Sequence, residues 1–160
     1  SATGPQGKRF LAPAPNNRLR VRRLTIAGRR ATDATMIMTF SQVALGGAIG
    51  ACLRFGAGHV LVRGGHTGLP LAILTVNILG SFLMGLFVMW SFHRGHEALN
   101  LFVMTGILGG FTTFSAFSLE AVTLFERGQI ALAGAYVALS VGLSIGALVL
   151  GASLARAVWA

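Results

Sequence analysis

The sequence predicts an all-α membrane protein of four transmembrane helices, the third of them broken near its middle. Three observations carry that reading. Of 160 residues, 54% are apolar and 11% charged, with a mean hydropathy of +0.72, which is too hydrophobic and too charge-poor for an ordinary soluble domain. Four apolar stretches, roughly 39–62, 69–92, 99–125 and 130–155, are each long enough to cross ~30 Å of hydrocarbon, which takes ~20 helical residues. Within the third, Gly106-Ile107-Leu108-Gly109-Gly110-Phe111-Thr112-Thr113-Phe114-Ser115-Ala116-Phe117-Ser118 gathers glycines, hydroxyls and phenyl rings where a plain span would have none.

Residues 1–35 are rich in Arg, Pro, Gly and Asn and hold no apolar run long enough to span or to serve as a signal core. They read as a disordered basic extension associated with the membrane surface through its arginines. Met36 and Met38 stand immediately before the first apolar run. The expectation is therefore that translation starts there, that 1–35 is not native, and that 36–160 is the transmembrane domain; an intact mass that includes the arginine-rich tail would refute this. The net charge of +9 belongs mostly to that tail. Eight cationic residues against Asp33 leave +7 before Met36, and five arginines against three glutamates leave +2 after it. A basic tail is not a basic domain, and no nucleic-acid partner is expected.

The single cysteine, Cys52, cannot form an intrachain disulfide and falls in an apolar run, so a buried inert thiol is expected. His66, His93 and His96 sit in polar connections and His59 near the end of a span. No metal-ligand cluster and no nucleophile–base–acid set is present in the sequence, which argues against an enzyme.

The connections Arg63–Gly68, Phe92–Ala98 and Glu126–Gln129 are short, so consecutive spans run antiparallel. Gly46/Gly50, Gly80/Ser81/Gly85 and Gly142/Gly146 carry the small-residue spacing of close helix packing. After Met36, Arg94 and Arg156 lie on one side of the membrane and Arg63 and Arg127 on the other. This balance leaves the positive-inside rule silent, as insertion in both orientations requires; the tail would make it ten against two.

Glycines weaken a helix by roughly 1 kcal/mol each, and irregular backbone at membrane depth is tolerated only where protein or water covers it. On glycines alone, a break and simple close packing are equally good readings of 106–110. The Thr-Thr-Phe-Ser run, with a second Phe three residues on, favours a site: hydroxyls and ring edges come together on a segment with freed carbonyls. Polar groups elsewhere in the spans are costly and therefore functional candidates. Arg54 reads as structural or electrostatic, snorkelling to the interface or holding the opened backbone of a neighbour. Asn77 offers an amide, with an interhelical hydrogen bond as its plain alternative. Glu120 fits a proton carrier, a pore-mouth group or an ion-pair partner for Arg54. Tyr136, Ser140 and Ser144 recur every four residues on one face. With Asn77, Thr113 and Ser115 they form a string of donors suited to a small, strongly hydrated anion. Phe114 and Phe117 add positive ring edges, or are core packing alone.

These residues resemble the CrcB/Fluc fluoride channels over 38–155. The resemblance rests on Gly46-Gly47-x-x-Gly50-x-x-x-Arg54, Asn77-x-x-Gly80-x-x-x-x-Gly85 and Gly109-Gly110-Phe111-Thr112-Thr113-Phe114-Ser115-x-Phe117. It implies an antiparallel dual-topology homodimer with two pores in the cell inner (cytoplasmic) membrane, exporting fluoride passively. It also implies a structural Na⁺ on backbone carbonyls, here those of Gly109 and Thr112. By the same resemblance Asn77 would line the pore, Phe114 and Phe117 would flank fluoride, and Ser115, Glu120, Tyr136 and Ser140 would form the polar side of the path. The chain departs from the family pattern twice: Ala116 stands where a second hydroxyl is usual, and Ala72-Ile73 where Gly-Thr is usual.

Two other functions compete with this one. A proton-coupled antiporter of the four-helix dual-topology type would have to rely on Glu120, because the first helix carries Arg54 and no acid. A non-transporting scaffold would use Asn77, the threonines and the phenylalanines only for packing.

Overall fold

Length and apolarity produce the helices: a backbone surrounded by hydrocarbon must satisfy its own hydrogen bonds, and a helix does so within one segment. The computed structural model describes residues 17–62 and 70–159. α1 runs Asn17–Val62, α2 Leu71–Arg94, α4 Phe114–Glu126 and α5 Ile130–Trp159. Between α2 and α4 lie a 3-10 turn at Glu97–Leu99, a π-helical segment at Leu101–Leu108 and the short α3 at Gly109–Phe111. Four stretches are long and apolar enough to span a membrane, at Thr35–Leu61, Leu71–Arg94, Glu97–Glu126 and Ile130–Trp159. They agree with the four stretches expected from the sequence to within a few residues at each end. The Arg63–Gly68 connection, with His66, lies outside the described residues.

Two units are separable, Ser1–Ile37 and Met38–Ala160. In the first, residues 1–16 lie outside the described residues, and from Asn17 onward the backbone is helical where disorder was expected. The reason is local: after Pro15 no proline follows until Pro70, and the arginines that make the segment polar are good helix formers.

The second unit is held by small residues at the helix crossings. A Cβ on Gly46 would collide with the Phe102 carbonyl, and one on Gly50 with the Ile107 carbonyl and, at 2.8 Å, the Phe111 nitrogen. From the other side, a Cβ on Gly106 would come within 2.9 Å of Gly46 Cα and one on Gly110 within 2.6 Å of the Gly47 carbonyl oxygen. α1 and the third span therefore touch backbone to backbone. α2 and α5 run parallel and meet in the same way, Gly85 against Leu148 and Ala152, Gly151 against Phe82 and Leu86. Gly142 and Gly146 have nothing within reach of a Cβ among the described residues, so the close packing expected of that pair is not made there. Leu74, Phe117, Leu124, Ala133 and Tyr136 form the buried cluster where α2, α4 and α5 converge. Cys52, expected to be buried, is exposed, because α1 turns its glycine stripe, not this face, toward the third span.

Candidate functional site

The third span is interrupted, and the interruption falls two residues beyond the glycines. Gly109 and Gly110 stay helical, while Thr112 (φ −78°, ψ 156°) and Thr113 (φ −151°, ψ 120°) are extended. Extended backbone suits β-branched threonine, and the side chains around it supply what the helix no longer does. Thr112 donates both its N–H (3.0 Å) and its hydroxyl (2.9 Å) to the Leu108 carbonyl. Thr113 caps α4: its Oγ1 accepts from the Ala116 N–H at 3.2 Å, the expected bond of an N-cap threonine, and lies 3.2 Å from Ser115 Oγ.

Asn77 serves the break from across the helix interface. Its Oδ1 accepts from the Thr113 N–H at 2.8 Å and its Nδ2 donates to the Thr113 carbonyl at 3.1 Å. One amide thus satisfies both backbone groups of a buried residue. The pairing fixes the amide orientation and leaves one of the two Nδ2 protons for another acceptor. Gly80, one turn along α2, has no room for a Cβ because Thr112 Cγ2 and the Phe111 ring occupy the space. Among the carbonyls that lose their i+4 donors at the break, two lose them to these side chains. The Thr113 N–H that would serve Gly109 is given to Asn77, and the Ala116 N–H that would serve Thr112 is given to the Thr113 hydroxyl.

Beside the break lies a cavity of about 300 Å³ walled by α2, the Thr112–Phe117 stretch and α5. Of the residues singled out in the sequence, Asn77, Thr112, Thr113, Phe114, Phe117, Ser140 and Ser144 line it. Ser81, Met84, Val141 and Ile145 also line it and were not foreseen as site residues; Ser81 is one helical turn from Asn77, a spacing that would have found it. Every side chain in this wall is uncharged. Ser140 is 5% exposed, and among the described residues its Oγ makes no well-formed hydrogen bond, its one polar interaction being a loose one with the Tyr136 hydroxyl; a buried hydroxyl so poorly paired costs up to about 1–3 kcal/mol. The two phenyl rings lie 5.4 Å apart, yet Phe117 is buried while Phe114 is 78% exposed.

The remaining candidates lie elsewhere. Ser115 is exposed and outside the cavity wall, tied to it through Thr113. Glu120 accepts from the Tyr136 hydroxyl at 2.7 Å, so its partner is Tyr136 and not Arg54. The Tyr136 ring in turn stacks at 5.5 Å on Phe117, which links that pair to the cavity through packing. Arg54 lines a second cavity of about 670 Å³ with Phe55, His59, Ile73 and Ala116. Ile73 and Ala116, two positions where the family pattern has a hydroxyl, therefore meet in one place.

A family model described as CrcB-like protein, Camphor Resistance (CrcB), matches residues 41–152. A protein of Roseobacter denitrificans named "Fluoride-specific ion channel FluC" is 63% identical over 119 residues, covering 73% of this chain and 94% of that one. Proteins with the same name from Ruegeria sp. and Rhizobium etli are 60% and 47% identical, each over 124 residues and 98% of their own length, covering 77% and 76% of this chain.

Proposed function

The chain belongs to the CrcB family, and from that membership we propose that it is a fluoride-selective channel, a multi-pass protein that lets fluoride leave the cytoplasm by passive electrodiffusion and so lowers its toxicity inside. The single observation that carries the reading beyond family is the uncharged cavity at the Thr112–Thr113 break, with the buried and poorly paired Ser140 hydroxyl in its wall. Fluoride is small and strongly hydrated, and gives up water only for several short hydrogen bonds. Ser140 Oγ, the second Nδ2 proton of Asn77 and the first N–H groups of α4 are donors without a full charge, and the α4 N-terminus adds its positive dipole end. Neutral donors hold an anion loosely enough to release it. The edges of Phe114 and Phe117 add a weak positive field that hydrocarbon would not. Tyr136, Ser115 and Glu120 extend the polar side of the path, with Tyr136 fixing Glu120. On the Arg54 side, Ile73 and Ala116 leave the guanidinium as the principal group able to attract an anion.

The working unit in this proposal is an antiparallel, dual-topology homodimer in the cell inner membrane. Phe114, Gly142 and Gly146 supply faces for the second copy. The Gly109 and Thr112 carbonyls, deprived of their helical donors, fit a hard monovalent cation, and Na⁺ held there would neutralise the converging carbonyl dipoles of two copies. Fluoride efflux from liposomes containing the full chain tests the function, with chloride as control. Efflux without a pH gradient supports the channel; efflux only with a proton gradient would shift the case to Glu120 and an antiporter; none from folded protein would favour a scaffold. Replacing Na⁺ with a large organic cation on both sides tests the ion separately, and unchanged efflux would refute its role.

A further inference from the structure

At the end where α2 and α5 finish, the chain has a feature unrelated to the break. α5 and the π-helical segment both pack on α2 but, among the described residues, not on each other. A furrow lies between them, floored by Leu83, Phe87 and Trp90, walled by Val103 and Leu108 on one side and by Trp159 on the other, with a volume of about 500 Å³. From Leu83 to Trp90 it follows α2 for about 10 Å, from hydrocarbon depth toward the helix end, and its lining is wholly apolar.

Two arginines stand within one helical turn of the residues that line the furrow, Arg94 after Trp90 and Arg156 before Trp159. Arg156, one turn before Trp159, donates from Nε to Met89 Sδ at 3.3 Å, which lays the guanidinium across the α2–α5 seam. A thioether is a weak acceptor, and a guanidinium has five N–H donors, so most of this group's capacity is unspent. Arg94 ends α2, and His93 caps the Met89 carbonyl at 2.9 Å. Between α2 and the end of α5, the carboxylate near these arginines along the chain is Glu97, exposed on the 3-10 turn. The Trp90 ring lies 5.1 Å from His96, and indoles at such a position mark the headgroup level of a bilayer.

The geometry points to a binding site for one anionic phospholipid, its acyl chain in the α2–α5 furrow and its phosphate on Arg156 and Arg94. A free phosphate would leave the furrow without a use, and a second copy of the chain would have to bring a carboxylate to Arg156. The lipid satisfies both halves of the site at once.

Trp90 and Trp159 are the chain's two tryptophans, so tryptophan fluorescence, excited apart from Tyr136, reads this furrow. The full chain is reconstituted in phosphatidylcholine bilayers and titrated with lipid brominated on its acyl chains, carrying either a phosphatidylglycerol or a phosphatidylcholine headgroup. Half-quenching is expected at about fivefold lower mole fraction of the brominated anionic lipid, the effect of one arginine at the surface. The advantage should fall toward unity in Arg156→Gln and shrink in Arg94→Gln. Equal curves for the two headgroups in the native chain would overturn the proposal. So would absence of quenching by either, which would mean that a second copy covers the furrow, or an advantage that survives in both variants. If Arg156→Gln does not fold, the native headgroup comparison and Arg94→Gln decide the matter.

Discussion

Replacing Asn77 with alanine removes both bonds that hold the break open, at 2.8 and 3.1 Å. Thr113 is 7% exposed, so water can take over only from the adjoining cavity. A lower bound comes from the average interhelical side-chain bond in membranes, ~0.6 kcal/mol, or about 1.2 kcal/mol for two. An upper bound comes from leaving a buried donor and a buried acceptor unpaired, about 1–3 kcal/mol each and therefore about 2–6 kcal/mol together. The chain has one escape: the Thr113 N–H can return to the Gly109 carbonyl and close the helix, recovering one bond while abolishing the break. Stability, read by denaturant unfolding in mild detergent, is thus expected to fall by about 1–6 kcal/mol, and fluoride efflux to drop to the protein-free rate. A variant within about 0.5 kcal/mol of the native chain that still conducts would refute the reasoning, since typical surface substitutions change no more than that.

Ser140→Ala removes a buried hydroxyl that makes no well-formed hydrogen bond among the described residues, so unfolding should change little while efflux falls; a clear loss of stability would mean that the hydroxyl is structural. Phe114→Ile alters a ring that is 78% exposed and should reduce flux with little effect on chain stability. Phe117→Ala, in contrast, empties part of the buried cluster and should cost about 3–5 kcal/mol in the same unfolding assay. Gly50→Ala drives a Cβ into the Ile107 carbonyl and the Phe111 nitrogen, backbone atoms that cannot rotate away, and should cost at least about 1–3 kcal/mol. Gly56→Ala, on the same helix with nothing within reach among the described residues, should leave the unfolding midpoint unchanged or raise it, since alanine is the better helix former.

The fold was legible because its cause is written along the chain: apolar runs of spanning length with short polar connections admit few alternatives to a four-span helical arrangement. The cavity wall was largely legible for a similar reason, since Asn77, Ser140 and Ser144 are isolated polar groups in apolar helices and therefore conspicuous. The break was legible as an event but not in its position. Glycine lowers helix stability, yet Gly106 and Gly110 are spent on contact with Gly46 and Gly47, and the interruption falls on threonines that Asn77 and their own hydroxyls support. That substitution of side-chain for helical bonds depends on which helix lies opposite, and spacing within one segment does not encode it. The same holds for the burial of Ser91, whose hydroxyl donates to Asn100 Oδ1 at 2.6 Å, and for Glu120, whose partner turned out to be Tyr136. Cys52 was misread because apolar neighbours signify burial in a soluble core, whereas in a bilayer they also mark the outward face.

Fluoride efflux from proteoliposomes, with chloride alongside and no pH gradient imposed, tests the central claim most directly. The account predicts rapid efflux of fluoride but not chloride from the native chain, and efflux at the protein-free rate from Asn77→Ala. Efflux that requires a proton gradient, or native protein that folds and passes no fluoride, would contradict it.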